Sequence, residues 1–509
     1  MTTTSDLPFS FQHLSLPGGV RAAMERNPDK VALRHRERSC TYAEFMCRVD
    51  QVCSGLLNTA GLEAGAHAAI VAANSIEYLE VVLGASQAGI GTATVNPRLS
   101  VPEIVAICDD AEARVLFVDA TAAAVLHGAD FATVIEVIEI GDAYREWCAS
   151  APALDAAERP AVNEWDIFTI PYTSGTTGKP KGVLVPHRSR VISLYAMAVE
   201  YGCFSPDDRF LAIAPMCHGA GMIFALAPLF FGAYAEIMDK FAPEQVVQKL
   251  AEEQITGFFG VPTHFHAIFG LEQSYLQAHR SSTLRTVISN AAPLPQVMKE
   301  KIIEYFGPIL HETYGSTEAS IVSNLRPADQ LRKTACVGQA FPGTRIEIRR
   351  ADGTVCEAEE IGELFVTSSC LFNGYWNNAE ATAEAFHDGW VTVGDLARKD
   401  AEGHLYIVDR IKDMVITGGI NVYPREIEET LLQHPGVRDA AVIGVPDEKW
   451  GERLKAYIVA GEDAPTDQEL ADFCDGRIAG IKIPRDYAFI DQLPRNASGK
   501  VLKTELRAL

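Results

Sequence analysis

Tyr172-Thr173-Ser174-Gly175-Thr176-Thr177-Gly178-Lys179-Pro180-Lys181-Gly182 is the stretch that decides the reading of this chain. It packs three glycines, four Ser and Thr hydroxyls and two lysines into one connection. Apolar residues precede it (167–170) and follow it (183–185), so it reads as a loop between two strands. Glycines let successive backbone N–H groups converge on an anion, hydroxyls add donors and lysines add charge. A polyphosphate needs all three. The Walker loop has four residues between its first glycine and Gly-Lys, and here there are two, so this is a different device. The bland alternative, a flexible surface loop, fits poorly with so many glycines and hydroxyls together.

Working outward, residues 17–160 alternate helices with short apolar strands. Thr41 and Glu44 form a capping-box pattern, followed by Phe45, Val49, Val52, Leu56 and Leu57 at helical spacing. Segments 68–72 and 115–118 are short and apolar enough to be buried strands. The rhythm continues through 208–310, with strand ends at 257–260 and 286–289. Strands alternating with helices imply parallel sheets covered on both faces. After about 340 the pattern changes: 344–349 and 362–367 alternate like half-exposed β structure.

Near 410 it changes again. Residues 415–419 lead into Tyr423-Pro424-Arg425, where the proline suits a helix's first turn. Ile427, Leu431 and Leu432 supply an apolar face, and Pro435-Gly436 stop the helix. Strands at 440–443 and 454–459 follow, then a helix capped by Thr466 and Glu469.

The chain has 509 residues, enough for several packed units, and 48% hydrophobic residues, which excludes wholesale disorder. Lys and Arg number 44 against 67 Asp and Glu, a formal charge of −23. So acidic a protein is a poor general partner for nucleic acid or anionic membrane. Residues 211–235 carry no Asp, Glu, Lys or Arg, a length that could span a bilayer. Pro215, His218, Gly219, Gly221 and Pro228 interrupt it, so a buried strand, a turn and a buried helix are expected instead, and no membrane span. The 11 cysteines are odd in number and contain no Cys-x-x-Cys pair, which argues against a disulfide framework or a structural zinc site. The N-terminus has neither the basic nor the apolar region of a signal peptide, so a cytoplasmic location is expected and the sequon at Asn496 is incidental.

Further motifs fall in order along the chain: Asn290-Ala291-Ala292, His311-Glu312-Thr313-Tyr314-Gly315-Ser316-Thr317-Glu318, Gly394-Asp395, and Asp409-Arg410-Ile411-Lys412-Asp413. Gly418-Gly419-Ile420-Asn421 and Pro494-Arg495-Asn496-Ala497-Ser498-Gly499-Lys500 complete the set. Together with the 172–182 loop, they resemble the signature elements of the adenylate-forming superfamily. That family includes acyl-CoA synthetases, peptide-synthetase adenylation domains and firefly luciferase. Its fold would be α/β: a large N-terminal domain (1–409) of stacked mixed or parallel sheets with covering helices and a β subdomain. A hinge (410–412) and a small mobile α+β C-terminal domain (413–509) would follow.

The resemblance implies a two-step reaction. A carboxylate and ATP give an acyl adenylate and pyrophosphate, and a thiol then displaces AMP. It implies that Thr173, Ser174, Gly175, Thr176, Thr177, Gly178, Lys179 and Lys181 cradle the phosphates. Thr317 would donate to the α-phosphate and Glu318 would hold Mg²⁺. Tyr314 would stack on adenine, with Glu312, Thr313, Gly315, Ser316 and the Asn290-Ala291-Ala292 segment around it. Asp395 would accept the ribose hydroxyls, aided by Arg410. Lys500 would bridge the carboxylate and the α-phosphate. Alone, Lys500 looks like an exposed tail residue, and only the family pattern makes it catalytic. Lys412 would be the pivot that replaces Lys500 by Gly418 and Gly419, whose missing side chains would admit the pantetheine arm of coenzyme A. Trp450 would sit nearby or simply pack the small domain.

The sequence departs from the family at Val393, where a threonine is usual, at Asn290, where glycine is common, and at Lys503, where arginine is usual. By resemblance His218, in Pro215-Met216-Cys217-His218-Gly219-Ala220-Gly221, gates the acid, although a lone histidine in an apolar run is often a core residue. The small residues 219–221 suggest a roomy entrance, with Phe224, Phe258, Phe259 and Val261 as apolar walls. No Phe-Asp dipeptide of the amino-acid-activating branch occurs, which favours a simple acid, ring-bearing or bulky rather than a straight medium chain. Coenzyme A is the favoured acceptor, because no carrier domain is attached. A separate carrier protein is the rival acceptor, and a luciferase-like oxygenase or a non-catalytic acyl or nucleotide sensor is disfavoured. The oligomeric state stays open between a monomer and a homodimer.

Overall fold

The computed structural model describes residues 14–155, 159–174, 180–461, 463–495 and 501–509. They form two compact units, one of residues up to 345 with 366–391, the other of 346–365 with 392–509. The dividing lines run through the strands Thr344–Arg349 and Gly362–Ser368.

The first unit is built on two large sheets. A nine-stranded sheet runs Gln339–Ala340, Ser320–Leu325, Leu310–Ser316, Thr286–Ser289, Gly257–Gly260, Arg209–Ala212, Tyr234–Ile237, Val31–His35, Arg38–Thr41. Its central strands pair in parallel. The second sheet runs Glu136–Glu139, Ala113–Val118, His67–Val71, Gly91–Val95, Ile167–Ser174, Pro180–Gly182, with Val185–Pro186 also on Ile167–Ser174. Side chains alternate across a strand. Ala68 and Ile70 of one sheet, and Phe210 and Ala212 of the other, therefore join one core with the intervening helices Tyr42–Ser54, Ile76–Gln87 and Gly219–Phe231. The odd-numbered partners turn outward. Ala69 and Val71 pack under Val101–Asp110, and Leu211 and Ile213 under Pro243–Glu252 and Gln296–Phe306.

The local signals act as their chemistry dictates. The Thr41–Glu44 capping box closes in both directions. Leu56 and Leu57 fall just past that helix, in a π-helical turn Gly55–Thr59, and Leu56 stays buried. The uncharged run 211–235 becomes the end of a buried strand and the buried helix Gly219–Phe231. Among the described residues no helix is long and apolar enough to cross a membrane. The cysteines are free thiols, all buried except Cys47 and Cys356.

In the second unit, Val437–Asp447 and Gly451–Ala460 form a long antiparallel hairpin, joined by Val415–Thr417, Ile420–Val422 and Asp486–Phe489. The helices Pro424–Leu431 and Asp467–Cys474 cover it. The Thr466–Glu469 box caps the latter. The apolar face of Pro424–Leu431 is narrower than its sequence implies. Ile427 and Leu431, four apart, are buried, whereas Leu432 turns off that face and is exposed. Asp395–Lys399 and Leu405–Arg410 pair as a second hairpin.

Candidate active site

The glycine- and hydroxyl-rich loop springs from a hairpin. Thr173 pairs with Lys181 and Tyr172 with Gly182. Gly175, Thr176, Thr177, Gly178 and Lys179 lie outside the described residues, as does the side chain of Ser174. The loop's exit is tied to a segment 190 residues downstream that carries no local mark of a role there. Trp376 N donates to Gly182 O (2.8 Å) and Leu184 N to Gly374 O (2.9 Å). Tyr375, between them, carries Lys181 Nζ over its ring at 5.1 Å and donates through Oη to Glu318 Oε1 at 2.9 Å.

Glu318 stands in the turn between Leu310–Ser316 and Ser320–Leu325, beside Thr317, and is only 8% exposed. The turn is braced from within. Ala319 N donates to Ser316 Oγ (3.0 Å), and the Ser320 hydroxyl meets Ser193 Oγ (2.8 Å). Gly315 is required there: a Cβ would come within 2.2 Å of the Ser320 carbonyl. Tyr314 is half-buried at the bulge of this hairpin.

Beside it, Asn290 Nδ2 donates to Thr313 Oγ1 (2.9 Å), and Ala291 takes a left-handed φ of 78°. The Glu312 carboxylate points inward. It accepts from Leu294 N (3.0 Å) and pairs with the buried Lys299. Its task in this geometry is to hold the turn after Asn290. Lys299 had no distinguishing mark in the sequence, because an isolated lysine on an amphipathic helix reads as a solvated charge.

His218 precedes the helix Gly219–Phe231, with Nε2 3.4 Å from Asn96 Nδ2. Burial, and next the Arg98 charge, hold its pKa below the ordinary value, so it is neutral. The buried Asn74 fixes the approach, donating to Ala214 O (2.9 Å) and accepting from Met216 N (2.8 Å). Two expectations are corrected here. Gly221 does not widen an entrance, because the Pro215 carbonyl lies 2.0 Å from where its Cβ would be; helix and turn need that space to pack. Phe258 does not wall the same cavity as Phe224. The period of two turns it to the outer cluster, while Phe259 stacks on Phe224 at 4.4 Å.

In the second unit, Asp395 and Arg410 face each other across a hairpin. Arg410 Nε donates to Asp395 Oδ1 (2.8 Å) and Nη2 to Val393 O (2.8 Å). The hydroxyl that Val393 lacks is not replaced by Thr392, whose Oγ1 donates to Glu363 Oε1 (2.7 Å). Lys412 is exposed in the short turn Ile411–Asp413, where desolvation first and Arg410 second lower its pKa. Gly418 and Gly419, with φ of 58° and 79°, make the two-residue turn between Val415–Thr417 and Ile420–Val422, a conformation that selects glycine. The space beside Gly418 is filled by Trp450, 2.8 Å from a Cβ there, while the position beside Gly419 is open. Lys503 pairs with Glu428 at 2.8 Å. Lys500 lies outside the described residues; the Arg495–Val501 bridge flanks it.

Comparison with known proteins follows the same lines. The family described as AMP-binding enzyme matches residues 20–376, and the AMP-binding enzyme C-terminal domain matches 426–500. A feruloyl-CoA synthase of Amycolatopsis sp is 35% identical over 489 residues, spanning 94% of this chain and 96% of the relative. A long-chain-fatty-acid–CoA ligase of Mycobacterium tuberculosis is 34% identical over 92% of both chains. A 2-succinylbenzoate–CoA ligase of Bacillus cereus is 32% identical, over 97% and 98%. The solved o-succinylbenzoate CoA synthetase of Bacillus subtilis, bound to its acyl-adenylate intermediate, superimposes with a TM-score of 0.86 at 29% identity, covering 96% of this chain and 97% of that one.

Proposed function

The chain belongs to the AMP-binding enzyme family, and on that premise we propose that it is an ATP-dependent carboxylic acid–CoA ligase. Carboxylate and ATP give acyl-AMP and pyrophosphate; coenzyme A then takes the acyl group as a thioester and releases AMP. The relatives named feruloyl-CoA synthase and 2-succinylbenzoate–CoA ligase act on ring-bearing acids, which supports a ring-bearing or bulky acid here. A fatty acid, as in the mycobacterial relative's name, is the second reading.

The observation that carries the proposal is the Lys181–Tyr375–Glu318 arrangement at the exit of the glycine-rich hairpin. It sets a cation and a nearly buried carboxylate on either side of one phenol. Hydroxide is a poor leaving group, so the acid must first be joined to phosphate. The transition state of that step gathers negative charge on the α-phosphate. Residues 173–181 supply donors and charge to the other phosphates, and Thr317 donates to the α-phosphate. Glu318, held by Tyr375, is the carboxylate that would hold a Mg²⁺ ion beside the phosphates. Mg²⁺ would supply neutralisation of phosphate charge.

Asp395, oriented by Arg410, accepts the ribose hydroxyls, and Tyr314 covers the adenine. Neutral His218 lines the acid's path. Lys500 bridges the carboxylate and the α-phosphate, Lys412 is the pivot between the half-reactions, and the open side of the Gly418–Gly419 turn, at Gly419, receives the pantetheine arm. The buried free thiols support a cytoplasmic setting.

Pyrophosphate release with ATP and Mg²⁺ across aryl, cinnamic, alicyclic and straight-chain acids, with and without coenzyme A, tests the reading. Turnover that requires coenzyme A is the expected result. An adenylate that coenzyme A fails to drain would move the acceptor to a carrier protein. Silence with every acid would overturn the ligase.

A further inference from the structure

Arg190 is the one buried charge among the described residues without a partner. It lies on the helix His187–Tyr201 and is 4% exposed. Its Nε is enclosed with no acceptor, and among the described residues no hydrogen bond or ion pair engages its guanidinium. Among the described residues every buried Asp, Glu and Lys is answered, as Glu236 is by Lys249 (2.5 Å) and Lys299 by Glu312. A desolvated, unpaired guanidinium is among the costliest groups a fold can retain, and a leucine or methionine would fill the same volume without that cost. Burial lowers its pKa to about 10, which leaves it charged at neutral pH.

Its surroundings favour an anion. Nη2 lies 3.3 Å from where a Cβ on Gly219 would stand, so the absence of a side chain there leaves the tip of the guanidinium uncovered. Gly219 opens a 13-residue helix whose first turn holds no acidic residue, so its positive end adds to the Arg190 charge. The groups that act on the adjoining His218 are its own burial and Arg98, a second cation. Cys370, the remaining titratable group facing Arg190, is kept as a neutral thiol by burial.

We propose that Arg190 is the specificity residue of the acid pocket and that the acid is a dicarboxylate, whose second carboxylate docks on Arg190 beside Gly219. This rests on the ligase reading above. The reacting carboxylate is a poor match for Arg190, because it loses its charge on becoming an acyl phosphate. A cation fixed on it alone, without the reach to the α-phosphate proposed for Lys500, would stabilise the starting state and oppose the step. A second carboxylate keeps its charge through both half-reactions and offers the planar, two-oxygen face that a guanidinium binds best.

The test uses matched acids that differ only in a second carboxylate: aryl monoacids against their carboxylated forms, and straight-chain monoacids against α,ω-diacids of equal length. Pyrophosphate release gives kcat/KM for each. The wild-type protein is expected to favour the diacid of a fitting pair by about 30-fold or more, the scale of a buried charge pair. Arg190→Met should erase that preference by raising KM for the diacid, and Arg190→Lys should restore part of it. Gly219→Val, which covers the guanidinium tip, should act in the same direction as Arg190→Met. If Arg190→Met fails to fold, the wild-type preference and the Gly219→Val result decide alone. Equal use of both acids, or turnover of monoacids only, overturns the inference and leaves the ligase standing. A rise in KM for ATP instead of the acid also overturns it, by assigning Arg190 to a phosphate. Silence with both kinds of acid overturns the ligase reading, and this inference with it.

Discussion

Tyr375 Oη donates to Glu318 Oε1 at 2.9 Å, across 57 residues of sequence, and the same ring lies under Lys181 Nζ. One phenol thus orients the carboxylate proposed for Mg²⁺ and backs a lysine proposed for phosphate. Tyr375→Phe removes only the hydroxyl. A lost hydrogen bond of this kind is worth about 0.5–1.5 kcal/mol. The expected result is a several-fold fall in kcat with a higher Mg²⁺ concentration for half-maximal rate. Unchanged Mg²⁺ dependence would make Tyr375 a packing residue.

Asp395 and Arg410 form the corresponding pair in the second unit, at 2.8 Å. Asp395→Ala leaves Arg410 bonded to the Val393 carbonyl and deprives a ribose of its acceptor. KM for ATP should rise by roughly tenfold or more, as a charged acceptor is worth about 1.5–3 kcal/mol, while KM for the acid stays within a factor of about two. A shift confined to the acid would refute the assignment.

Lys500 supplies charge to the first half-reaction only. Lys500→Ala should abolish acyl-adenylate formation yet still convert a chemically prepared acyl adenylate and coenzyme A to thioester. Each half-reaction is read separately, as pyrophosphate release and as thioester formation. Adenylation that survives the substitution would remove Lys500 from catalysis.

Local chemistry was legible where neighbours in sequence settle it. The Thr41 and Thr466 capping boxes and the buried strands follow from short-range patterns, whereas strand pairing enters the 172–182 stretch further than its apolar flanks imply, with Thr173 opposite Lys181. What escaped depends on distant segments meeting. Tyr375 and Lys299 carry no local mark, and their partners, Glu318 and Glu312, are reached only through the fold. Small residues misled for the same reason. Gly221 yields to the Pro215 carbonyl and Gly418 to Trp450, whereas one sequence cannot separate a glycine that makes room for a ligand from one that makes room for its own chain.

Gly221 permits a direct check of that distinction. Its Cβ would stand 2.0 Å from the Pro215 carbonyl oxygen, and backbone yields less readily than a side chain. Gly221→Ala should cost about 1–3 kcal/mol, the range of overpacking in a close-packed core. It should lower the melting temperature and move the segment carrying His218. A variant as stable as the parent would show that the turn relaxes freely.

His187 and His311 make the stability of the first unit sensitive to acid. Burial pushes their pKa values down to about 3 and about 4. His187 Nδ1 accepts from Leu16 N (3.3 Å), and Nε2 meets Ser86 Oγ (3.2 Å), so a second ring proton would face a donor. Each folded pKa lies below the unfolded value of about 6.5. The unfolded chain therefore binds more protons, and the contribution present above pH 6.5 is lost as pH falls toward 4 and 3. The slope is at most about 1.4 kcal/mol per pH unit for each histidine. Glu80 works with the opposite sign: burial raises it to about 7, so its contribution fades as pH rises through the same window. Total stability against pH thus mixes the two. Comparing urea unfolding of the parent with that of His187→Gln between pH 7.5 and 4.5 separates them, because Glu80 is common to both. The gap in stability between parent and variant should narrow as pH falls below 6.5, and a gap independent of pH would mean that His187 is not held neutral by its burial.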